Sequence, residues 1–450
     1  MLVGLRRKTH LGMTLVEMLA AMAVTLILIL ALAQVFQIIG DNVADGRAIV
    51  EMSSAIRDTA NRLQDDLDAV TVPARPWPEP GSGLGYLEYL EGAGFDLAPN
   101  FALWDVANPL KSASIIGDSD DVLAFTVRNT GQPFVGRLNG NTIRSNAAEI
   151  IWWLEPSDTN RNGQWDWKPL EGLRETFSLR RRVLLILPDQ VNLPAGVSPK
   201  QFHRGNDLSV RLEGGRLVAN SLADLTKRQN RAGHVPESGT GPVPNNFPYP
   251  IVPAMVPGSL VINANSLMPK QAGNYLGEDI ILSDVIGFDI KIFDPTVPLV
   301  ADSNNLDTVV PGDPSFDPTA KAQGFGGFVD LGFLRYQPGV RSLFAGSPHI
   351  KSQLRQLVYD TWSLDYEYDG FNQDKDKDPK GNPIIDEGTD GLDTKDNNDV
   401  FLYGVDDMGE RETSPPYPHP LRGIQIIIRT LDPDSRQVRQ ITVTSDFTPE

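Results

Sequence analysis

The sequence predicts an α+β protein: one long N-terminal helix joined to a large, loop-rich, mainly antiparallel β head. Three observations carry this. Apolar residues dominate from Met18 to Ile39, and helical spacing of apolar positions continues as far as Val70. Thirty-five prolines and forty glycines, most of them beyond that helix, argue against a helical remainder. The remainder holds short alternating or continuous apolar runs separated by turn-forming residues, as antiparallel strands require.

The elements follow in order. Residues 1–12 form a basic leader with Arg6, Arg7 and Lys8, ending at Gly12. The apolar run Met18–Ile39 is 22 residues long and is interrupted only by Thr25, Gln34 and Gln37. That suits a bilayer crossing of roughly 20 residues and exceeds the core of a secretory signal, about 7–15 residues. A spanning segment over about 15–39 is expected, with the cationic leader cytoplasmic and the bulk of the chain on the other side. Glu17 sits just inside the apolar run, where a lone carboxylate is costly unless paired or functional. Ile49, Met52, Ile56, Ala60, Leu63, Leu67 and Val70 then recur at steps of three and four among polar residues. This is an amphipathic helix with one stripe to bury. Gly40 and Gly46 mark candidate bends, and Pro73 and Pro76 end the helix. The rod of residues 13–72 would extend roughly 90 Å at about 1.5 Å per residue.

The head, residues 73–450, carries strand-like runs at Val122–Val127, Glu149–Leu154, Phe177–Leu187 and Asp284–Phe293. Gly423–Thr430 and Val438–Thr444 flank the turn-rich Asp432-Pro433-Asp434-Ser435 and read as a hairpin. Ile350, Leu354, Leu357, Val358 and Trp362 have helical spacing, which predicts a second helix within the β region. Segments of about 188–278 and 296–349, rich in Pro, Gly and Asn, read as loop insertions.

The leader, Arg6-Arg7-Lys8-Thr9-His10-Leu11-Gly12 followed by Met13-Thr14-Leu15-Val16-Glu17 and an apolar helix, resembles the prepilin signal of type IV pilins and type II secretion pseudopilins. The resemblance implies cleavage after Gly12 by prepilin peptidase, N-methylation of Met13, and assembly with other pilins or pseudopilins through the helix. Met13 departs mildly from the phenylalanine usual there. Glu17 falls at the fifth mature position, where the family's glutamate compensates a neighbouring subunit's N-terminal amine. The order of head strands is similar to that of J-type minor pseudopilins or W-type minor pilins. The resemblance therefore implies a single-pass membrane protein with a periplasmic or extracellular head. It implies a structural subunit of a type II secretion pseudopilus or a type IV pilus-like filament. A second expectation is a membrane-tethered, calcium-ordered surface binding protein that forms no filament.

Net charge narrows the partners. The formal charge is −18, and loss of the leader's three cations takes it to −21, which argues against nucleic acid as a partner of the head. With no cysteine, stability must come from core packing rather than disulfides, with bound metal as an optional addition. The chain lacks Gly-x-Ser-x-Gly, a phosphate-binding Gly-Lys-Ser/Thr loop and His-Glu-x-x-His, and its five histidines are scattered, so no enzymatic activity is expected. Two acidic segments suit Ca2+. Asp158, Asn160, Asn162 and Asp166 alternate around Gly163 as in a calcium loop, although Pro169 stands where an EF-hand places its bidentate glutamate. The loop 365–412 includes Asp374, Asp376 and Asp378; from Asp374 to Glu412 it has 13 acids against 5 cations, a density that a divalent ion would order.

Overall fold

The computed structural model describes residues 14–75, 83–91, 118–119, 121–157, 164–165, 167–168, 173–213, 215–226, 230–233, 260–261, 278–302, 307–313, 316–317, 319–331, 358–361, 420–432 and 437–447. The architecture is α+β. Helix α1 runs unbroken from Leu15 to Asp68, through Gly40 and Gly46. The strands used below are β1 (Leu87–Leu90), β2 (Val122–Arg128), β3 (Phe134–Leu138), β4 (Asn141–Ser145), β5 (Ala147–Pro156) and β6 (Phe177–Leu185). After a short helix α2 (Pro199–Phe202) come β7 (Val210–Glu213), β8 (Arg216–Ala219), β9 (Ile280–Ala301), β10 (Gly324–Val329), β11 (Val358–Asp360), β12 (Gly423–Leu431) and β13 (Val438–Asp446).

One antiparallel sheet of ten strands dominates, in the order β11-β1-β2-β5-β6-β9-β12-β13. Strand β10 and the short Thr308–Val309 pair with the far half of β9, which is 22 residues long. All six strand runs read from the sequence are strands, and Gly423–Leu431 and Val438–Asp446 form the expected hairpin, in continuous register from Gly423↔Asp446 to Leu431↔Val438. Val358 is a correction: it lies in strand β11, paired to Leu90, and not in a helix. Val358 and Tyr359 are good strand formers and pair with the available edge of β1; Ile350, Leu354, Leu357 and Trp362, the other positions of the expected helix, lie outside the described residues.

The central strands β2 and β5 are buried on both faces. On one, Leu123, Phe125, Val127, Ala148, Ile150, Trp152 and Leu154 share a core with Ile56, Ala60, Leu63 and Leu67 of α1. On the other, Val122, Ala124, Ile151 and Trp153 pack with Leu184, Leu222 and Leu225. Two covered faces explain why Ile150-Ile151-Trp152-Trp153-Leu154 is continuously apolar rather than alternating.

The cover of the second face comes from the segment after β6. Its described part, up to residue 233, folds as α2, the β7–β8 hairpin and a 3-10 turn at Asp224–Thr226, with Phe202, Leu208, Val210, Leu217 and Ala219 forming a small core with Leu138. Buried charges hold it down. Arg182 reaches Asp279 at 3.0 Å and the carbonyl of His203 at 2.7 Å. Glu149 accepts from the Tyr86 hydroxyl at 2.8 Å, Ser209 at 2.6 Å and the Ala232 amide at 2.9 Å; burial nevertheless raises its pKa. Arg231 lies between Glu88 (3.1 Å) and Asp360 (3.0 Å), with its guanidinium 4.0 Å from the Tyr86 ring centre. His203 is buried, and desolvation, reinforced by the Arg182 charge, lowers its pKa to about 3. Its neutral ring pairs with the Leu208 carbonyl at 3.0 Å.

Candidate functional site: the exposed rod and its socket in the head

The membrane-proximal half of α1 has the form of an assembly or anchoring element. Leu15–Gly40 is the single stretch among the described residues long and apolar enough to cross a membrane, and none of it is covered by the rest of the chain. Large apolar side chains such as Leu15 (77 % exposed) and Phe36 (70 %) face outward. An apolar surface this long requires lipid or other helices. Backbone polarity is satisfied within the helix, and Thr25 returns its hydroxyl to the Ala21 carbonyl at 2.7 Å, so the segment presents few unmet donors to hydrocarbon.

The first turn is closed by a capping box. The Glu17 amide donates to Thr14 Oγ1 at 3.3 Å, while Glu17 Oε2 accepts from the Thr14 amide at 2.8 Å and its hydroxyl at 3.0 Å. The Thr14-x-x-Glu17 spacing is the sequence signature of this arrangement. It gives the carboxylate local donors at the positive end of a helix, which lowers the cost of its position in the apolar run. Both Glu17 oxygens remain on an exposed turn, open to a further cation.

At its other end α1 is socketed into the sheet. Asp66 forms a two-pronged pair with Arg181 of β6, 2.7 Å at both contacts, and accepts from Trp152 Nε1 at 3.0 Å. Arg181 lies 5.8 Å from the centre of the Trp152 ring. The helix stops at Asp68, four residues short of the Val72 end expected from Pro73, because the sheet captures the chain first. Arg128 donates to the Ala69 carbonyl at 2.9 Å and Thr71 to the Thr126 carbonyl at 3.0 Å. Asp66 lies between the stripe positions Leu63 and Leu67. Its position three residues after Leu63 places it on the same face, the signal that could have marked it.

The other site residues expected from the sequence fall elsewhere. Gly12 and Met13 lie outside the described residues, as do Asp158, Asn160, Asn162, Asp166, Asp374, Asp376, Asp378 and the loop 365–412. The loop bearing the first acidic set does connect paired strand ends, Pro156 opposite Phe177. Among the described residues, one group has a donor set suited to a hard cation: Glu91, Asp118 and Asp121, all buried, with carboxylate oxygens within 4.8 Å of one another. The Ile290 amide donates to Asp121 at 2.6 Å and the Leu331 amide to Glu91 at 3.0 Å. Sequence reasoning missed this group because Glu91 comes from a different segment from Asp118 and Asp121.

A single exposed apolar helix, capped by Thr14 and Glu17 and rooted in a β head, defines a protein held at a membrane or in a helix bundle through its N-terminal rod. Comparison narrows the class: the prokaryotic N-terminal methylation motif matches residues 7–33. The chain thus carries a prepilin-type N-terminus, with the processing by prepilin peptidase and assembly with other pilins that this motif implies. No curated protein and no solved structure matches the chain.

Proposed function

We propose that this chain is a non-enzymatic minor pseudopilin or pilin. It is cleaved after Gly12, N-methylated on Met13 and assembled through α1 into a type II secretion pseudopilus or a type IV pilus-like filament. The carrying observation is the conjunction of the methylation motif over residues 7–33 with a helix whose apolar half is entirely exposed and whose polar half is fixed to a folded head. Before assembly the rod resides in the cytoplasmic membrane, with Arg6, Arg7 and Lys8 inside and the head outside.

Mass spectrometry of the native N-terminus tests the processing step. A chain beginning at N-methylated Met13 is expected; one retaining Met1, or cut beyond residue 30, contradicts the proposal. Glu17 is the proposed partner of a neighbour's N-terminal amine. Glu17→Ala should leave membrane insertion intact, because the segment becomes more apolar, yet reduce recovery of co-assembled subunits from membranes. Unchanged recovery would remove Glu17 from assembly and favour a tethered surface protein that forms no filament.

A further inference from the structure

Among the described strands β13 ends the sheet, and its outer side has the properties of a docking edge. Its hydrogen-bonding parity follows from the two ends of its ladder with β12. Phe447 donates to the Arg422 carbonyl and Asp432 to the Gln437 carbonyl, both at 2.9 Å. In the antiparallel register, pairs of this kind alternate with pairs that exchange no bonds. Ile441 opposite Ile428, Val443 opposite Ile426 and Ser445 opposite Ile424 therefore bond inward to β12. Val438, Gln440, Thr442 and Thr444 aim their amides and carbonyls outward, and all four are exposed.

Nothing in this edge discourages pairing. The nine-residue register runs without a bulge, and the strand holds no proline and no lysine; its charged side chains, Arg439 and Asp446, lie near its ends. Exposed edges are ordinarily short, bulged or charged for this reason. At the opposite edge of the sheet, β11 has only three residues. The edge also adjoins the rod: Ile441 and Val443 of β13 pack into the core that α1 covers.

We propose that this edge receives an extended strand from the head of a different subunit in the same filament, a reading that rests on the function proposed above. Antiparallel pairing of two β13 edges from identical chains is excluded by geometry. Antiparallel joining has a two-fold axis normal to the sheet, which reverses every direction within it, α1 included; rods inserted into one membrane from one side must instead run parallel. The fitting partner strand has five or so residues of alternating character. Its β-branched apolar side chains extend the Ile441–Val443 face, and its polar ones lie beside Gln440, Thr442 and Thr444.

The test uses the full chain in its native membrane. A photo-crosslinking residue at position 442 should trap a second chain that itself carries a prepilin-type N-terminus, with the adduct mapping to an alternating strand. The same residue at position 191, on the exposed Val191, should not. Thr442→Pro removes an outward amide while sparing the bonds to β12, so the adduct formed from position 444 should fall about tenfold or more with the melting temperature of the head retained. Gln440→Lys with Thr444→Lys, read from position 442, repeats the test without altering the backbone. Adducts only with identical chains, or adducts indifferent to these variants in a folded head, overturn the proposal. Absence of adducts while Glu17-dependent co-assembly persists overturns the edge alone. Absence of co-assembly altogether overturns the filament reading as well.

Discussion

At the scale of single residues, the socket around Asp66 is a sensitive point of the helix–sheet contact. Its carboxylate carries both prongs of Arg181 and the Trp152 indole, all within a buried helix–sheet contact. Removing one member of a buried pair leaves the other charge uncompensated, which costs about 3–5 kcal/mol. Asp66→Ala should therefore lower unfolding stability by that amount, while Asp65→Ala, one residue away and exposed, should stay within about 0.5 kcal/mol. Denaturant titration of the detergent-solubilised chain, followed by tryptophan fluorescence, measures both. Glu17 and Gly12 were legible as residues because the leader is a linear pattern. Asp66 was less so, since its partners Trp152 and Arg181 come from distant strands and nothing local names them.

At the scale of elements, the strands were legible where burial is continuous or alternating, as at Val122–Val127 and Phe177–Leu187. Strand β1 is four residues long and β11 three, too short to establish a period, and each takes its conformation from its neighbour. The β3–β4 hairpin did have a local signal: Asn139 and Gly140 adopt φ of 51° and 79°, the left-handed pair that an Asn-Gly turn supplies. The cover formed by α2, β7 and β8 has its own pH response. His203 titrates near 6.5 when unfolded but only at about 3 when buried, so between these values the unfolded chain binds a proton that the folded one excludes. Its contribution is intact above pH ~6.5 and is lost as pH falls, by about 2 kcal/mol between 6.5 and 5. His203→Gln should flatten this part of the stability profile. Equal slopes for the two proteins in denaturant melts at pH 7 and pH 5 would show that the ring is not held neutral.

At the scale of the whole molecule, the acidic balance sets the conditions for folding. With a formal charge of −18 and no disulfides, the head is a candidate for stabilisation by divalent cations, and calcium binding by the acidic segments around Asp158 and Asp374 is proposed from their sequence. An ion that binds only the folded state stabilises it by about 2.7 kcal/mol at a hundredfold excess over Kd. The melting temperature should fall in chelator and recover with calcium. Asp374→Asn, Asp376→Asn and Asp378→Asn together should abolish the difference if that segment is responsible. Identical melting curves would leave both segments as acidic loops. That question was open in the sequence because a charge-rich run specifies neither its own curvature nor the distant oxygens that would complete a coordination shell.

The junction at Asp68 also has a mechanical meaning. No flexible linker separates rod from sheet: the helix ends, and within three residues its chain is hydrogen-bonded alongside β2, at Ala69 and Thr71. A thrust delivered along α1 would load the helix–sheet contact in shear, where the bonds to Thr126 and Arg128, the Asp66 clamp and the apolar stripe must yield together rather than one at a time. At this junction axial force on the rod would pass directly into β2 and the sheet rather than into a hinge.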